Sequence, residues 1–237
     1  MSKSLRNVVA SAFYAGLIVA GGTLLASAPA SAALCASTTN CSLTFTQGNS
    51  GSAFGTGNFG TLGLSLSGNT VTVSVSLASG FRIVNTGFPG SFGFSDSLGG
   101  GLTIGNFSSA AYSGALSHAA SDLHFDGFGF FNNAAATTGP SAGSASAVGS
   151  VSFTVFRAGL IDVNQLLNLA NPAGGDGLAY FVVDVFNSNT SGPGAGNTGL
   201  IAITGNFPPN QTPEPQTLAL VGLGLFSLAL LRRQRRA

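Results

Sequence analysis

Residues 62–77 read LGLSLSGNTVTVSVSL, and on both sides of Gly68-Asn69 an apolar residue alternates with serine, threonine or glycine. Successive side chains of a β-strand point to opposite faces, so this alternation predicts two strands, each with one buried and one solvated face. Gly68-Asn69 is a turn dipeptide of the kind that joins two antiparallel strands. The segment therefore predicts a β-hairpin.

Shorter apolar segments extend this pattern along the chain, with Gly, Asn and Pro between them, at residues 81–84, 123–131, 148–156, 178–186 and 199–204. Many short strands separated by turn residues are typical of all-β domains. We therefore predict an antiparallel β-sandwich or a jelly-roll-like domain. One short helix is expected after Asp162, which can cap it, with Val163, Leu166, Leu167 and Leu169 on its apolar face.

The N-terminal segment has the order of a secretory signal peptide. Lys3 and Arg6 precede an apolar stretch at residues 8–25, and the small residues Ala30-Ser31-Ala32 follow it. We predict cleavage by signal peptidase after Ala32, so that the mature chain begins at Ala33; cleavage after Ala28 or Ala30 is the alternative. Export argues against a cytosolic function, and the segment is left out of the fold prediction.

The C-terminal segment combines three features in order. Pro213-Glu214-Pro215 comes first, an apolar run at residues 218–231 follows, and Arg232, Arg233, Arg235 and Arg236 come last. In this segment the chain resembles the PEP-CTERM family, whose members are thought to be processed by an exosortase at the surface of Gram-negative bacteria. The resemblance implies recognition of the Pro-Glu-Pro motif by an exosortase and transient anchoring in the inner membrane. An ordinary C-terminal membrane anchor is the alternative.

The physical properties of this segment agree with the resemblance. As a helix the apolar run would be about 21 Å long, which is shorter than the roughly 30 Å hydrocarbon core, so it would span only if its arginines reach to the interface and the bilayer thins. Positive charge retained beside a short span favours the cytoplasmic side. We therefore predict residues 1–32 as signal peptide, 33–207 as ectodomain, 208–216 as linker with the Pro-Glu-Pro motif, and 217–237 as transmembrane helix and arginine-rich tail.

The ectodomain is acidic although the whole chain carries a formal charge of +1. Its charged side chains are two arginines and six aspartates, so its own net charge is −4. Nucleic-acid binding is not expected, because it depends mainly on clustered positive charge. Polar positions are filled by Ser, Thr, Asn and Gly, a composition that suits matrix proteins, glycan contacts and self-association.

Cys35 and Cys41 are the two cysteines of the chain, just after the predicted cleavage site. In an exported protein we expect such a pair to form a disulfide that closes a small loop and tethers the N-terminal segment.

One group of residues has the chemistry of a metal site. On a strand, Asp122, His124 and Asp126 would share a face, and imidazole with carboxylates can bind a divalent cation. His118 lies just before them. The favoured interpretation is that these residues are the solvent side of a strand that enters the Asp126-Gly127 turn, so no metal and no cofactor are expected.

Three functions remain after these considerations. We expect an exported structural or adhesive protein of the envelope or extracellular matrix, with exopolysaccharide as a candidate partner and with no enzymatic activity. The first alternative is a surface carbohydrate-binding module that contacts sugar through exposed Tyr112 or Tyr180 and through Asn and Asp side chains. The second alternative is a secreted enzyme that depends on Asp122 or His124. The strand segments, among them residues 126–132 and 151–155, are also similar to a recurring ectodomain pattern of PEP-CTERM proteins, which has no assigned role.

Overall fold

The computed structural model describes residues 34–49, 54–87, 89–171 and 176–204. Contacts divide the chain into two units, Met1–Leu34 and Cys35–Ala237. Ala30 and Ala32, the Pro213-Glu214-Pro215 motif, the apolar run and the four C-terminal arginines lie outside the described residues. In the part of the chain that is described, no helix is both long enough and apolar enough to cross a membrane.

The fold is all-β, as predicted, and contains thirteen strands and one short helix in its described part. The strands are β1 (Asn40–Gly48), β2 (Thr56–Ser67), β3 (Thr70–Leu77), β4 (Phe81–Ile83), β5 (Phe92–Phe94), β6 (Thr103–Gly105), β7 (Ser113–Ser117), β8 (Leu123–Phe125), β9 (Gly129–Phe131), β10 (Asn133–Thr138), β11 (Ser150–Phe156), β12 (Phe181–Asn187) and β13 (Thr198–Ile203).

Eleven strands form one antiparallel sheet in the order β6-β11-β3-β2-β1-β13-β12-β5-β10-β7, with β4 paired to β12. The two end strands, β6 and β7, contact each other, so the sheet is nearly closed into a barrel. Opposite halves of the sheet meet in an aromatic core. Phe153 of β11 lies 5.3 Å from Phe92 of β5 between ring centroids, although these strands are far apart in the sheet order.

The predicted hairpin at residues 62–77 is present as β2 and β3, and the register pairs Leu64 with Val73 and Ser65 with Thr72. Gly68 has φ of +59°, which a residue with a side chain rarely adopts, and the Gly68-Asn69 turn depends on it. The valines of β3 are buried and its serines and Thr72 are exposed. The alternation of the sequence therefore places its apolar residues inside the sheet.

The helix predicted after Asp162 is a single 3₁₀ turn, Val163–Leu166. The Asp162 carboxylate accepts a hydrogen bond from the backbone N–H of Asn164 at 2.8 Å. The Gln165 side chain accepts one from the Asp162 N–H at 3.0 Å, which completes a capping box. Val163 and Leu166 are buried, as the pattern predicts.

The predicted strand at residues 123–131 is instead a hairpin, β8–β9, with a turn at residues 126–128 where Gly127 has φ of +81°. This β8–β9 hairpin lies on the outer face of the sheet. Its Phe125 and Leu123 pack with Val182 of β12 and Ala202 of β13 in a second, smaller core. Gly93 of β5 leaves room for the Phe125 ring, because a Cβ atom there would lie 2.4 Å from it.

Candidate functional site

A cleft of about 320 Å³ opens on the outer face of the sheet beside the β8–β9 hairpin. Residues from five separate parts of the chain line it: Asn49, Thr86, Gly87, Gly90, His124, Phe125, Asp126, Asp184, Gly199 and Leu200. The cleft exists because the hairpin covers only part of the outer face of β12 and β13.

Asp184 is the most unusual residue of this cleft. It lies in the middle of β12, between valines, and its side chain is only 5 % exposed. Thr86 donates two hydrogen bonds to its Oδ2 atom, from the backbone N–H at 2.7 Å and from the hydroxyl at 2.6 Å. Burial nevertheless disfavours the charged form and raises the pKa of Asp184 to about 6, because the Thr86 and Val185 hydrogen bonds only partly offset desolvation.

The hairpin contributes a second carboxylate and an imidazole. Asp126 directly follows β8, at the start of the turn, and is exposed, and His124 of β8 is exposed two residues before it. Asp176 approaches from a loop more than fifty residues away. Its Oδ2 lies 2.9 Å from the His124 Nε2 atom, and its Oδ1 accepts a hydrogen bond from the Gly127 N–H at 3.2 Å.

The predicted group of Asp122, His124 and Asp126 is exposed along one face, and Leu123 and Phe125 are buried on the other. The structure does not assemble these three residues with His118 into one site. His118 Nδ1 is hydrogen-bonded to Asp122 Oδ1 at 2.7 Å, whereas His124 is hydrogen-bonded to Asp176. No group of three potential His, Cys, Asp or Glu ligands occurs among the described residues.

A second buried carboxylate, Asp96, accepts hydrogen bonds on both oxygens and lies beside an arginine. It is 3 % exposed, and its Oδ1 accepts the N–H groups of Leu98 at 2.6 Å and Gly100 at 3.3 Å. Its Oδ2 accepts from the Asn133 side chain at 2.8 Å. The Arg157 guanidinium lies 3.9 Å away and donates to the Leu98 and Gly100 carbonyls. Asp96 therefore has a structural role in ordering the glycine-rich loop.

The outer surface of β1, β2, β3 and β11 carries a regular array of exposed hydroxyl side chains. We call it the hydroxyl face, and it consists of the exposed residues Ser42, Thr44, Thr61, Ser65, Thr72, Ser74, Ser76 and Ser150. Thr44, Thr61, Ser76 and Ser150 are direct cross-strand neighbours and form one row over four strands. None of these four strands contains a charged residue.

The two cysteines form a disulfide in the structure, between Cys35 and Cys41. The Cys35 N–H also donates to the Asn164 side chain at 2.9 Å, and the Asn164 amide donates back to the Cys35 carbonyl at 3.2 Å. The start of the ectodomain is thereby attached to the 3₁₀ helix.

The expectation that Tyr112 or Tyr180 is an exposed sugar contact is wrong. Tyr112 is 2 % exposed, and its hydroxyl donates to the Ile83 carbonyl at 2.8 Å. Tyr180 is also buried. Burial raises the pKa of both phenols. A tyrosine ring adds a large apolar surface to the core when its hydroxyl finds a hydrogen-bond partner there, as the Tyr112 hydroxyl does.

Comparison with known proteins identifies the C-terminal segment. Residues 211–236 match the family model of the PEP-CTERM protein-sorting motif. The chain carries a PEP-CTERM sorting signal. The PEP-CTERM signal indicates an exported protein that is anchored in the membrane, sorted by an exosortase and delivered to the cell surface. Searches of curated proteins and of solved structures gave no significant match.

Sequence reasoning missed Asp184, Thr86 and Asp176 as parts of the cleft. A signal for Asp184 exists, because a single carboxylate interrupts the apolar run Phe181-Val182-Val183-Asp184-Val185. Such a residue is either paired or functional, since an unpaired buried charge is costly. No comparable signal points to Thr86 or Asp176, because their proximity to the hairpin depends on the tertiary fold.

Proposed function

We propose that this protein is a non-enzymatic structural or adhesive component of the envelope or the extracellular polysaccharide matrix of a Gram-negative bacterium. The sorting signal supports its delivery to the surface. The observation that supports adhesion is the hydroxyl face, an uncharged and regular surface that extends over four strands.

The hydroxyl face suits contact with polysaccharide for a simple reason. Each Ser or Thr hydroxyl both donates and accepts hydrogen bonds, as sugar hydroxyls do. Neighbouring strands lie about 4.8 Å apart, so the rows of hydroxyls repeat at a spacing comparable to that of rings along an extended sugar chain. Many weak contacts of this kind add up when they are linked along a polymer.

Delivery follows from the two terminal signals. Signal peptidase removes residues 1–32, and the apolar segment at residues 218–231 holds the protein in the inner membrane with its arginines in the cytoplasm. An exosortase then recognises Pro213-Glu214-Pro215 and releases or transfers the ectodomain. The Pro residues favour an extended backbone at this point, which an enzyme can bind.

Intact mass and terminal sequencing of the protein from host cells with and without the exosortase test the delivery. We expect a chain that begins near Ala33 and ends near Pro213-Glu214-Pro215 only in cells that contain the exosortase. Retention of the arginine tail in both strains would show an ordinary membrane anchor instead.

Charge placed on the hydroxyl face tests adhesion. Thr72→Lys and Ser74→Lys together introduce two positive charges on exposed positions of β3, whereas Ala145→Lys introduces one on an exposed loop between β10 and β11. We expect the β3 variant to lose most of its retention in the cell-bound polysaccharide fraction while its far-ultraviolet circular dichroism is unchanged. Equal retention of the β3 variant, the Ala145 variant and the unmodified protein would exclude the hydroxyl face as the adhesive surface.

A further inference from the structure

We propose that the cleft beside the β8–β9 hairpin binds a single neutral sugar unit, with Asp126 and Asp184 accepting hydrogen bonds from its hydroxyl groups. This site is separate from the hydroxyl face, and the proposal does not rest on the adhesive role. A volume of about 320 Å³ falls at the lower end of the range of small-molecule sites.

The charges of the cleft decide which class of ligand it accepts. Among the described residues that line it, two are aspartates and none is arginine or lysine. The Asp126 and Asp184 carboxylates would repel phosphates, sulfates and uronic acids, and no arginine or lysine among the described lining residues would offset that repulsion. The ligand must therefore donate hydrogen bonds without bringing negative charge.

The hydrogen bonds that the described residues give Asp184 leave about one acceptor position of its carboxylate open. An ionised carboxylate can accept about four hydrogen bonds. The Thr86 N–H and hydroxyl both bond to the Oδ2 atom, and the Val185 backbone supplies one further hydrogen bond. Asp96 likewise accepts three hydrogen bonds, but the Arg157 guanidinium also lies 3.9 Å from it, whereas the salt bridges among the described residues include none to Asp184. Asp184 therefore remains a hydrogen-bond acceptor at the wall of a cleft.

The cost of keeping Asp184 buried supports a function for it. Burial raises the pKa of this carboxyl to about 6, which means that the fold holds an ionised group against its desolvation penalty at neutral pH. Groups of this kind are common at binding sites. Hydroxyl donors from a sugar would stabilise the ionised form.

The remaining lining matches the apolar side of a sugar ring. Phe125 and Leu200 contribute apolar atoms, and the Asn49 side chain is held by a hydrogen bond from the Leu200 N–H to its Oδ1 atom at 3.3 Å. A pyranose ring has polar edges and a face of C–H groups, so it needs both kinds of surface.

A divalent cation fits this cleft less well than a sugar. His124 Nε2 already bonds to Asp176, and the described residues contain no set of three potential metal ligands. Two carboxylates alone do not provide the six to eight oxygen ligands that calcium takes.

The test is a titration of the full-length, ¹⁵N-labelled protein in a zwitterionic detergent, which carries no sugar headgroup. The probes are the methyl glycosides of glucose, galactose and mannose, and the amides of Gly87 and Gly199 report on the cleft by nuclear magnetic resonance. We expect at least one probe to give saturable shifts at these amides. Asp126→Ala should weaken that binding about tenfold, as expected for the loss of a hydrogen bond to a charged group.

Two further variants separate binding in the cleft from other effects. Asp122→Ala removes an exposed aspartate of the same segment that does not line the cleft, and it should bind as the unmodified protein does. Gly87→Trp should abolish binding without unfolding the protein, because a Cβ atom at Gly87 meets nothing within 4 Å. The proposal is overturned if none of the sugars gives saturable shifts, if Gly87→Trp binds normally, or if only calcium chloride or methylammonium shifts the amides.

Discussion

Replacement of Asp184 by asparagine should stabilise the protein, and the gain should depend on pH. In the folded protein the carboxyl has a raised pKa of about 6, compared with an ordinary value of 3.8. Between these two values the folded state binds more protons than the unfolded state, so stability falls as the pH rises. The asparagine side chain carries no charge at any pH, so the variant lacks this loss.

The magnitude follows from the two pKa values. One pKa unit corresponds to about 1.4 kcal/mol, so the rise from 3.8 to about 6 corresponds to about 3 kcal/mol. The pH-dependent part of the difference should therefore favour Asp184→Asn by about 3 kcal/mol at pH 8 and should vanish as the pH falls below 3.8. An asparagine side-chain oxygen can still accept the two Thr86 hydrogen bonds, and any change in the Val185 hydrogen bond adds a difference that does not depend on pH.

Urea unfolding of the ectodomain, followed by circular dichroism from pH 3.5 to pH 8, measures the difference. Asp122→Asn, which removes an exposed carboxylate near the β8–β9 hairpin, is the matched control. Its stability should fall with rising pH as that of the unmodified protein does. Thr86→Val deletes the hydroxyl that lowers the pKa of Asp184, so it should extend the loss of stability to higher pH. A difference between Asp184→Asn and the unmodified protein that is independent of pH would refute the reasoning.

Two further predictions concern packing and the disulfide. Gly93→Ala should lower the free energy of unfolding by about 1–3 kcal/mol and speed hydrogen exchange in the β8–β9 hairpin, because its Cβ would lie 2.4 Å from the Phe125 ring. The control is Gly63→Ala, whose Cβ would lie 3.7 Å from its nearest neighbour, and equal effects of the two substitutions would contradict this explanation. The double variant Cys35→Ser, Cys41→Ser should lower the free energy of unfolding by about 2 kcal/mol, a small loss because the disulfide closes only a short loop. Unchanged unfolding in urea would show that Asn164 already orders this loop without the disulfide.

The strands of this protein could be predicted from the sequence where one face of the strand is exposed to solvent and the other is buried. Val71, Val73 and Val75 alternate with small polar residues, and this period of two fixes both the strand and the side that is buried. The 3₁₀ helix could be predicted from Asp162 because capping is a local interaction. The pairing of distant strands, such as β1 with β13, has no such local signal.

The cleft could be predicted only in part. The exposure of Asp126 agrees with the alternation that the sequence predicts from Asp122 to Asp126. Asp184 belongs to a strand buried on both faces because a second layer covers it, and one sequence does not reveal that the β8–β9 hairpin is this layer. Thr86 meets Asp184 across 98 positions of the chain, a contact that the tertiary fold creates.

The short edge strands of the large sheet limit the aggregation of this protein at high concentration. A long, unpaired edge strand can pair with a strand of another copy, and repeated pairing of this kind leads to fibres. Here the edge strands β6 and β7 of the large sheet have three and five residues and lie against each other, so little of their own backbone is open for such addition. Copies concentrated in a polymer gel at the cell surface should therefore remain individual particles that disperse again when the gel is dissolved.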